Sequence, residues 1–365
     1  MIIRRLSVQC VRSLWSVPVL TKKLLNTMWT SATLQKPLQM IAEDKPWALF
    51  STAGDLGLFK ELRDVMKKHF HILSHEEFLR DPQMYGPKIQ GVFLWDQLPA
   101  MEPALLDMLP ALKVVANGGA GVNHLDVAYL NKRGLTVTNT PGVVSNATAD
   151  IAMALMLASA RRIVEGHKIA VDPKIACKIQ YPMGVEVTGS TLGIIGMGQI
   201  GQEIAKRSKG FNMEILYHNR RRKSVEDEQE VGATYCENMD DLLRRSDFVM
   251  LAVNLTKETT GLISYRELAL MKPTATLVNI SRGHVVDQDA LLEALQSGTI
   301  LAAALDVTYP EPLPRDHPLL GLPNIIITPH VGTNTYSTIK KMVEKMVDNA
   351  LAAVEGRPVP NEVKS

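Results

Sequence analysis

With 365 residues, 46% of them apolar, the chain can furnish two ordinary domains, each with its own core. The 40 lysines and arginines against 38 acidic residues leave a formal charge of +2, too little for a general polyanion-binding surface, so nucleic acid is not an expected partner. Cys10, Cys177 and Cys236 make no CxxC pair and no metal-ligand spacing, and no apolar run reaches the ~18 residues needed to cross a bilayer, so a disulfide framework, a metal centre and a membrane span are not expected.

The chain begins with a basic segment. Arg4, Arg5, Arg12, Lys22, Lys23 and Lys36 precede the first acid, Glu43. An acid-free start containing Arg and Ser fits a mitochondrial transit peptide, whereas a secretory h-region would not hold Arg12 in its middle. A disordered leader without an address fits equally, and Met28 or Met40 would start a shorter chain. Residues 1–44 are thus expected to be a leader, with the protein cytoplasmic or in the mitochondrial matrix.

From Lys45 onward, short apolar runs alternate with helical patterns. Trp47–Ser51, His71–Leu73, Gly91–Trp95, Lys113–Ala116 and Leu135–Thr138 read as strands, and Leu56–His69 and Glu102–Leu109 as helices. This alternation implies a parallel sheet. One long helix is expected from Ala147 to His167, with Asp150 in its first turn and an apolar stretch from Ile151 that must be buried. Pro173, Pro182 and Gly184 then punctuate an irregular stretch. A second series follows, with strands at Leu192–Ile195, Glu214–Tyr217, Phe248–Val253, Ala275–Ile280, Leu301–Val307 and Ile325–Thr328, and helices at Gln202–Ser208, Asp240–Arg245, Tyr265–Met271 and Gln288–Gln296. Ser337–Glu355 carries apolar residues at helical spacing, so it must pack on something.

The chemistry is expected at the second series. Gly196-Met-Gly198-Gln-Ile-Gly201 matches G-x-G-x-x-G between a strand and a helix. Gly196 would permit the tight turn, Gly198 the approach of a pyrophosphate and Gly201 close helix packing. Ligands of open α/β sheets bind beyond the carboxyl ends of the strands. Here those ends carry Asn219, Asn254, Ser281 with Arg282, Asp306 and His330. Arg282 has the fork that grips a carboxylate, His330 exchanges a proton near neutral pH, and Glu311, between two prolines, would orient and charge the imidazole. Taken singly, each also reads as a surface arginine, a core histidine or a loop acid.

Four motifs in order, Gly196-Met-Gly-Gln-Ile-Gly201, Asn279-Ile-Ser-Arg-Gly-His-Val-Val-Asp287, Ala304-Leu-Asp-Val-Thr-Tyr-Pro-Glu-Pro-Leu313 and Thr328-Pro-His-Val-Gly332, resemble the D-2-hydroxyacid dehydrogenases, most closely glyoxylate/hydroxypyruvate reductases. The resemblance runs from about residue 46 to the C-terminus. It implies an α/β fold of two doubly wound, Rossmann-like domains: a substrate-binding domain of residues 45–145 completed by 331–365, and an inserted NAD(P)-binding domain of 146–330. It also implies a homodimer through the nucleotide domains and a small 2-keto or 2-hydroxy acid substrate. By position, the backbone N–H groups of Ala120 and Gly121 would hold the substrate carboxylate together with Arg282, and His330, kept protonated by Glu311, would protonate the carbonyl oxygen. Asp306 would hold the nicotinamide carboxamide. Gln199, Ile200, Asn254, Ile280 and Gly332 join the glycines as cofactor-binding positions. Two departures concern the substrate: the loop Asp172–Val187 lacks tryptophan, and Asn123 stands where many members have Asp.

In NAD-preferring members an acid about 20 residues past the glycines binds the ribose 2′-OH. Asn219 stands 18 positions past Gly201 and removes the charge that would repel a 2′-phosphate, while Arg220 and Arg221 could pair with it. One such contact, worth ~1.5–3 kcal/mol, predicts about tenfold to over a hundredfold preference for NADPH, with NADH the weaker cofactor. Arg222 and Lys223 are expected to face water. Two other readings remain: a reductase of larger keto acids such as 2-ketogluconate, and a corepressor-like protein that senses dinucleotide without catalysis.

Overall fold

The computed structural model describes residues 45–50, 60–95, 97–175 and 183–365. The basic leader, Ser51, residues 56–59 of the expected first helix, Cys177, Pro182 and the middle of the 172–187 loop lie outside the described residues.

Strands of only two to six residues form both sheets, and most are buried on both faces, as parallel strands covered by helices must be. The first sheet contains β1 (Trp47–Phe50), β2 (His71–Ser74), β3 (Ile89–Leu94), β4 (Val114–Asn117), β5 (Thr136–Thr138) and β13 (Glu362–Val363), in the order β13-β5-β4-β3-β1-β2. Only β13 is antiparallel. The second contains β6 (Thr191–Ile195), β7 (Glu214–His218), β8 (Ala233–Tyr235), β9 (Phe248–Leu251), β10 (Thr276–Asn279), β11 (Ala302–Leu305) and β12 (Ile325–Ile327). Its order is β12-β11-β10-β9-β6-β7-β8, parallel throughout, so all seven carboxyl ends share one edge.

The apolar stripe at the C-terminus finds its partner on the first sheet. In the helix Tyr336–Val354, Ile339, Val343, Met346, Val347 and Ala350 pack with Leu62 and Met66 of helix α1 (Lys60–Lys67) over Ala48, Phe93, Val114 and Ala116. The chain therefore builds the first lobe, inserts the second, and returns to finish the first.

The expected single helix from Ala147 to His167 is two. Helix α2 spans Ser145–Ala160 and α3 spans Ile163–Val171, with Arg162 left-handed between them at φ 51°. The cause lies further along the chain. Val185 N donates to Ala160 O at 2.8 Å, so the last carbonyl of α2 is satisfied by a returning strand of backbone. Gly184 permits the approach, since a Cβ there would lie 2.4 Å from Ala160 O. Because α2 begins at Ser145, Asp150 is not in its first turn. It instead binds Arg207 Nε at 2.7 Å on α4 (Gln199–Ser208). Helix α4 starts three residues earlier than its apolar pattern implies, because the glycine turn feeds it directly. The short edge strand β8 and helix α5 (Val225–Val231), whose sequence VEDEQEV is mostly charged, have too little apolar periodicity to be read from sequence. No described helix is long and apolar enough to cross a membrane.

Candidate active site

The ends of β10, β11 and β12 bring three polar loops together. His330, three residues past β12, has φ 54°, an uncommon backbone state for a residue with a side chain. Its N–H donates to Asp306 O at 2.8 Å, which holds it there. Its ring is 42% accessible and its Nδ1 lies 3.0 Å from Glu311 Oε2. Glu311 is fixed in turn, Oε1 accepting from Thr308 N at 3.0 Å. The hydrogen bond to Glu311 raises the His330 pKa above the ordinary imidazole value, against burial and the repulsion of Arg282. Burial pushes the Glu311 carboxyl up, but the His330 hydrogen bond and charge and the Thr308 N–H together bring it below its ordinary value. With Nδ1 bound to Glu311, Nε2 is left as the nitrogen that exchanges a proton with a ligand.

Arg282 is the third member. Nη1 donates to Ser281 O at 2.7 Å and Nε to Asn123 Oδ1 at 3.1 Å, on the first lobe. Burial pushes its pKa down while Glu311 opposes, and the guanidinium remains charged. Its backbone is held by the buried Asn279 at the end of β10: Nδ2 donates to Arg282 O at 3.0 Å, and Oδ1 accepts from both the N–H and hydroxyl of Ser281. The first lobe repeats the device. Asn117, buried at the end of β4, donates through Nδ2 to Gly119 O and Gly121 O, and Asn139 Nδ2 donates to Ala120 O at 2.7 Å.

With those carbonyls tied back, the N–H groups of Ala120 and Gly121 have no hydrogen-bond partner among the described residues. A Cβ at Gly121 would lie 2.2 Å from Arg282 Nη2, so the guanidinium rests against this loop. Two free N–H groups beside a guanidinium make an anion site. Neither clamping asparagine was singled out from sequence. The available signal was an asparagine closing a short, mostly apolar strand: VVAN in β4, TLVN in β10.

Asp306, expected to hold the nicotinamide carboxamide, also has a role within the protein. Its buried carboxylate accepts from the Thr328 hydroxyl at 2.7 Å, Val331 N at 2.9 Å and Gly332 N at 2.8 Å, and so ties the loop carrying His330 to β11. About four lone-pair directions are available to a carboxylate, and three are used. Gly332, an expected cofactor position, serves this tie.

Toward β6 and β7 the edge carries the glycine turn expected to meet a pyrophosphate. Gly196 has φ +105°, and a Cβ there would lie 2.5 Å from Ala252 O. A Cβ at Gly201 would lie 2.2 Å from Gly196 O, whereas one at Gly198 would meet no heavy atom within 4 Å. The first two glycines are thus demanded by the protein's own packing, and the open space over Gly198 fits an approaching pyrophosphate. No side chain caps α4, whose N-cap is Gly198, so its first N–H groups and helix dipole face the same space. Gln199 and Ile200 open this helix; Ile280 is buried just past β10, and Asn254 is exposed past β9 with its carbonyl bound by the Thr259 hydroxyl.

Asn219 Oδ1 accepts from Met197 N at 2.7 Å, which ties the end of β7 to the glycine turn. Arg220 and Arg221 are exposed, with no hydrogen bond or ion pair among the described residues. Arg222 is exposed and Lys223 half-buried, and both are also held by the protein. Arg222 binds Glu228 through two bonds of 2.8 Å, and Lys223 donates its N–H to the Tyr217 hydroxyl at 2.9 Å.

Residues 153–332 match the family model described as D-isomer specific 2-hydroxyacid dehydrogenase, NAD binding domain. A glyoxylate reductase of Thermococcus gammatolerans is 42% identical over 311 residues, 82% of this chain and 91% of that protein. One of Pyrococcus furiosus is 45% identical over 268 residues, 72% of this chain and 79% of its own length. Among solved structures, an NADPH-dependent glyoxylate/hydroxypyruvate reductase of Sinorhizobium meliloti, in complex with NADP and malonate, superposes with a TM-score of 0.76 at 29% identity, covering 88% of this chain and 97% of that one.

Proposed function

The chain belongs to the D-isomer-specific 2-hydroxyacid dehydrogenase family, and from that premise we propose that it reduces a small 2-keto acid, glyoxylate or hydroxypyruvate, to the D-2-hydroxy acid with NADPH. The observation that carries this reading is the His330–Glu311 pair standing beside Arg282 and the free N–H groups of Ala120 and Gly121. An anion site next to a charged acid is what a 2-keto carboxylate requires.

The substrate carboxylate takes the two N–H groups and Arg282, which also polarises the carbonyl oxygen. Reduced nicotinamide, when bound, supplies the hydride. His330 gives its Nε2 proton to the oxygen as negative charge develops there, and Glu311 keeps the imidazole charged until that moment. The open face of Gly198 and the uncapped start of α4 would hold the pyrophosphate, with Arg220 and Arg221 at the ribose 2′ position. The names of relatives that are glyoxylate reductases, one of them NADPH-dependent, support the choice of substrate and cofactor.

A homodimer belongs to the same reading. Helix α3 has no buried residue and exposes Ile163, Val164 and Val171, an apolar surface suited to a second copy.

The test is spectrophotometric. NADPH and NADH oxidation is measured with glyoxylate, hydroxypyruvate and 2-ketogluconate, and NADPH with the first two should be fastest. Tight NADPH binding without turnover of any 2-keto acid would instead favour dinucleotide sensing.

A further inference from the structure

Of the three consecutive arginines, only the third has a hydrogen-bonded or ion-pair partner among the described residues, and that partner is nearly buried. Glu228, on α5, has a side chain 10% accessible. Both its oxygens bind Arg222, and Oε1 also accepts from the Tyr217 hydroxyl at 2.6 Å. Tyr217 is fully buried in β7, so its hydroxyl is a fixed point of the sheet. The same hydroxyl accepts from Lys223 N. At the other side of the loop, Asn219 is held by Met197 N–H through its side chain and by the Tyr235 hydroxyl, which donates to Asn219 O at 3.2 Å. The guanidinium of Arg222 also lies 5.7 Å over the Tyr235 ring. The loop is therefore pinned at 219 and again at 222–223, and the residues between the pins are Arg220 and Arg221.

We infer that Tyr217, Arg222 and Glu228 form a buckle that positions Arg220 and Arg221 toward the ribose 2′ position, and so act as specificity-determining residues for NADPH over NADH. This rests on the NADPH reading above and adds to it a division of labour within the run. Two pins on either side of two residues fix the direction of the backbone before a ligand arrives, which reduces the ordering cost of binding. The buckle also solves an electrostatic problem. A carboxylate beside a phosphate site would repel the phosphate, but Glu228 is neutralised bidentately by Arg222. Arg222 holds its carboxyl down to about 2, with Tyr217 assisting. Asp227 pairs with Lys223 Nζ at 3.8 Å, and the carboxylate of Glu258 feels Arg220 from the loop after β9. The charge of Arg221 is left uncompensated.

The test uses the full chain and steady-state kinetics with glyoxylate, together with the Kd of adenosine 2′,5′-bisphosphate and of 5′-AMP. Glu228→Gln should lower the NADPH/NADH ratio of kcat/KM by about tenfold, the loss of ~1.4 kcal/mol of contact. It should weaken the bisphosphate but not 5′-AMP, with turnover on NADH as the control for folding. Tyr217→Phe, which removes only the hydroxyl, should act in the same direction if Glu228→Gln fails to fold. Arg220→Ala with Arg221→Ala separates the two ideas. If that double variant abolishes the preference while Glu228→Gln and Tyr217→Phe leave it intact, the buckle is overturned and the NADPH reading stands. If the double variant leaves the ratio unchanged, the NADPH reading itself fails.

Discussion

At the β10–β12 end of the second sheet, His330, Glu311, Arg282 and Asp306 are each bonded to a named partner in the protein, whereas at the β7 end Arg220 and Arg221 have no bonded partner among the described residues. Five strand intervals of ~4.8 Å, roughly 24 Å, separate the two ends. The contrast follows from what each end must do. An acid must be charged and aimed before the substrate arrives, because orientation achieved during the reaction is subtracted from the rate. A phosphate site only has to win a binding equilibrium, so long hydrated cations can wait in water if their backbone is already directed. Preorganisation is side-chain deep at one end and backbone deep at the other.

The largest effect should come from the catalytic end. His330→Ala is expected to lower kcat by roughly 10²–10⁴ while the Kd of NADPH, measured by fluorescence titration, stays within about twofold. A matching loss of NADPH affinity would show that the two ends are not separable. Next comes Glu311→Gln, which removes the hydrogen bond and the charge that raise the His330 pKa and leaves burial and Arg282, both of which lower it. Reduction needs the protonated ring, so in the parent enzyme activity holds below the raised pKa and falls as pH climbs through it. In the variant the falling limb of kcat should shift to lower pH, toward or below the ordinary value of about 6.5. A pH profile that does not move would leave Glu311 with a packing role alone. The smallest effect is expected from Asn123→Asp. A carboxylate facing Arg282 Nε would compete with the substrate's own, and since this contact is partly exposed the KM for glyoxylate should rise only several-fold, about 3–10, with NADPH kinetics unchanged. An unaltered KM would mean that Asn123 does not govern how Arg282 meets the substrate.

Much of this architecture was readable before any coordinates. The apolar runs are short and bounded by turn residues, so every strand but β8 and β13 could be laid out to within two residues, and polar side chains at successive strand ends pointed to one edge. What escaped has a common physical cause. The break at Arg162 depends on Gly184 and Val185 reaching Ala160 O, a contact that no window around the helix contains. Arg222 looks like its neighbours in a run of like charges, and its partner Glu228 lies across a loop at a spacing no helical rule marks. Asn117 and Asn279 act on backbone carbonyls and N–H groups, which carry no residue identity to be read. The sequence thus reveals which side chains meet a ligand more readily than which ones hold them still.

Asp306 shows what such holding implies for substitution. Three donors converge on its carboxylate: two on Oδ1, from Thr328 and Val331, and one on Oδ2, from Gly332. An asparagine of identical shape could set its oxygen in the first place, but its NH₂ would then face the Gly332 N–H, donor against donor. One buried N–H would go unmet at a cost of about 1–3 kcal/mol, borne by the loop that carries His330. The nearest isostere is therefore a poor exchange, since the position requires acceptors on both branches of its fork, and among side chains of this length only aspartate has them.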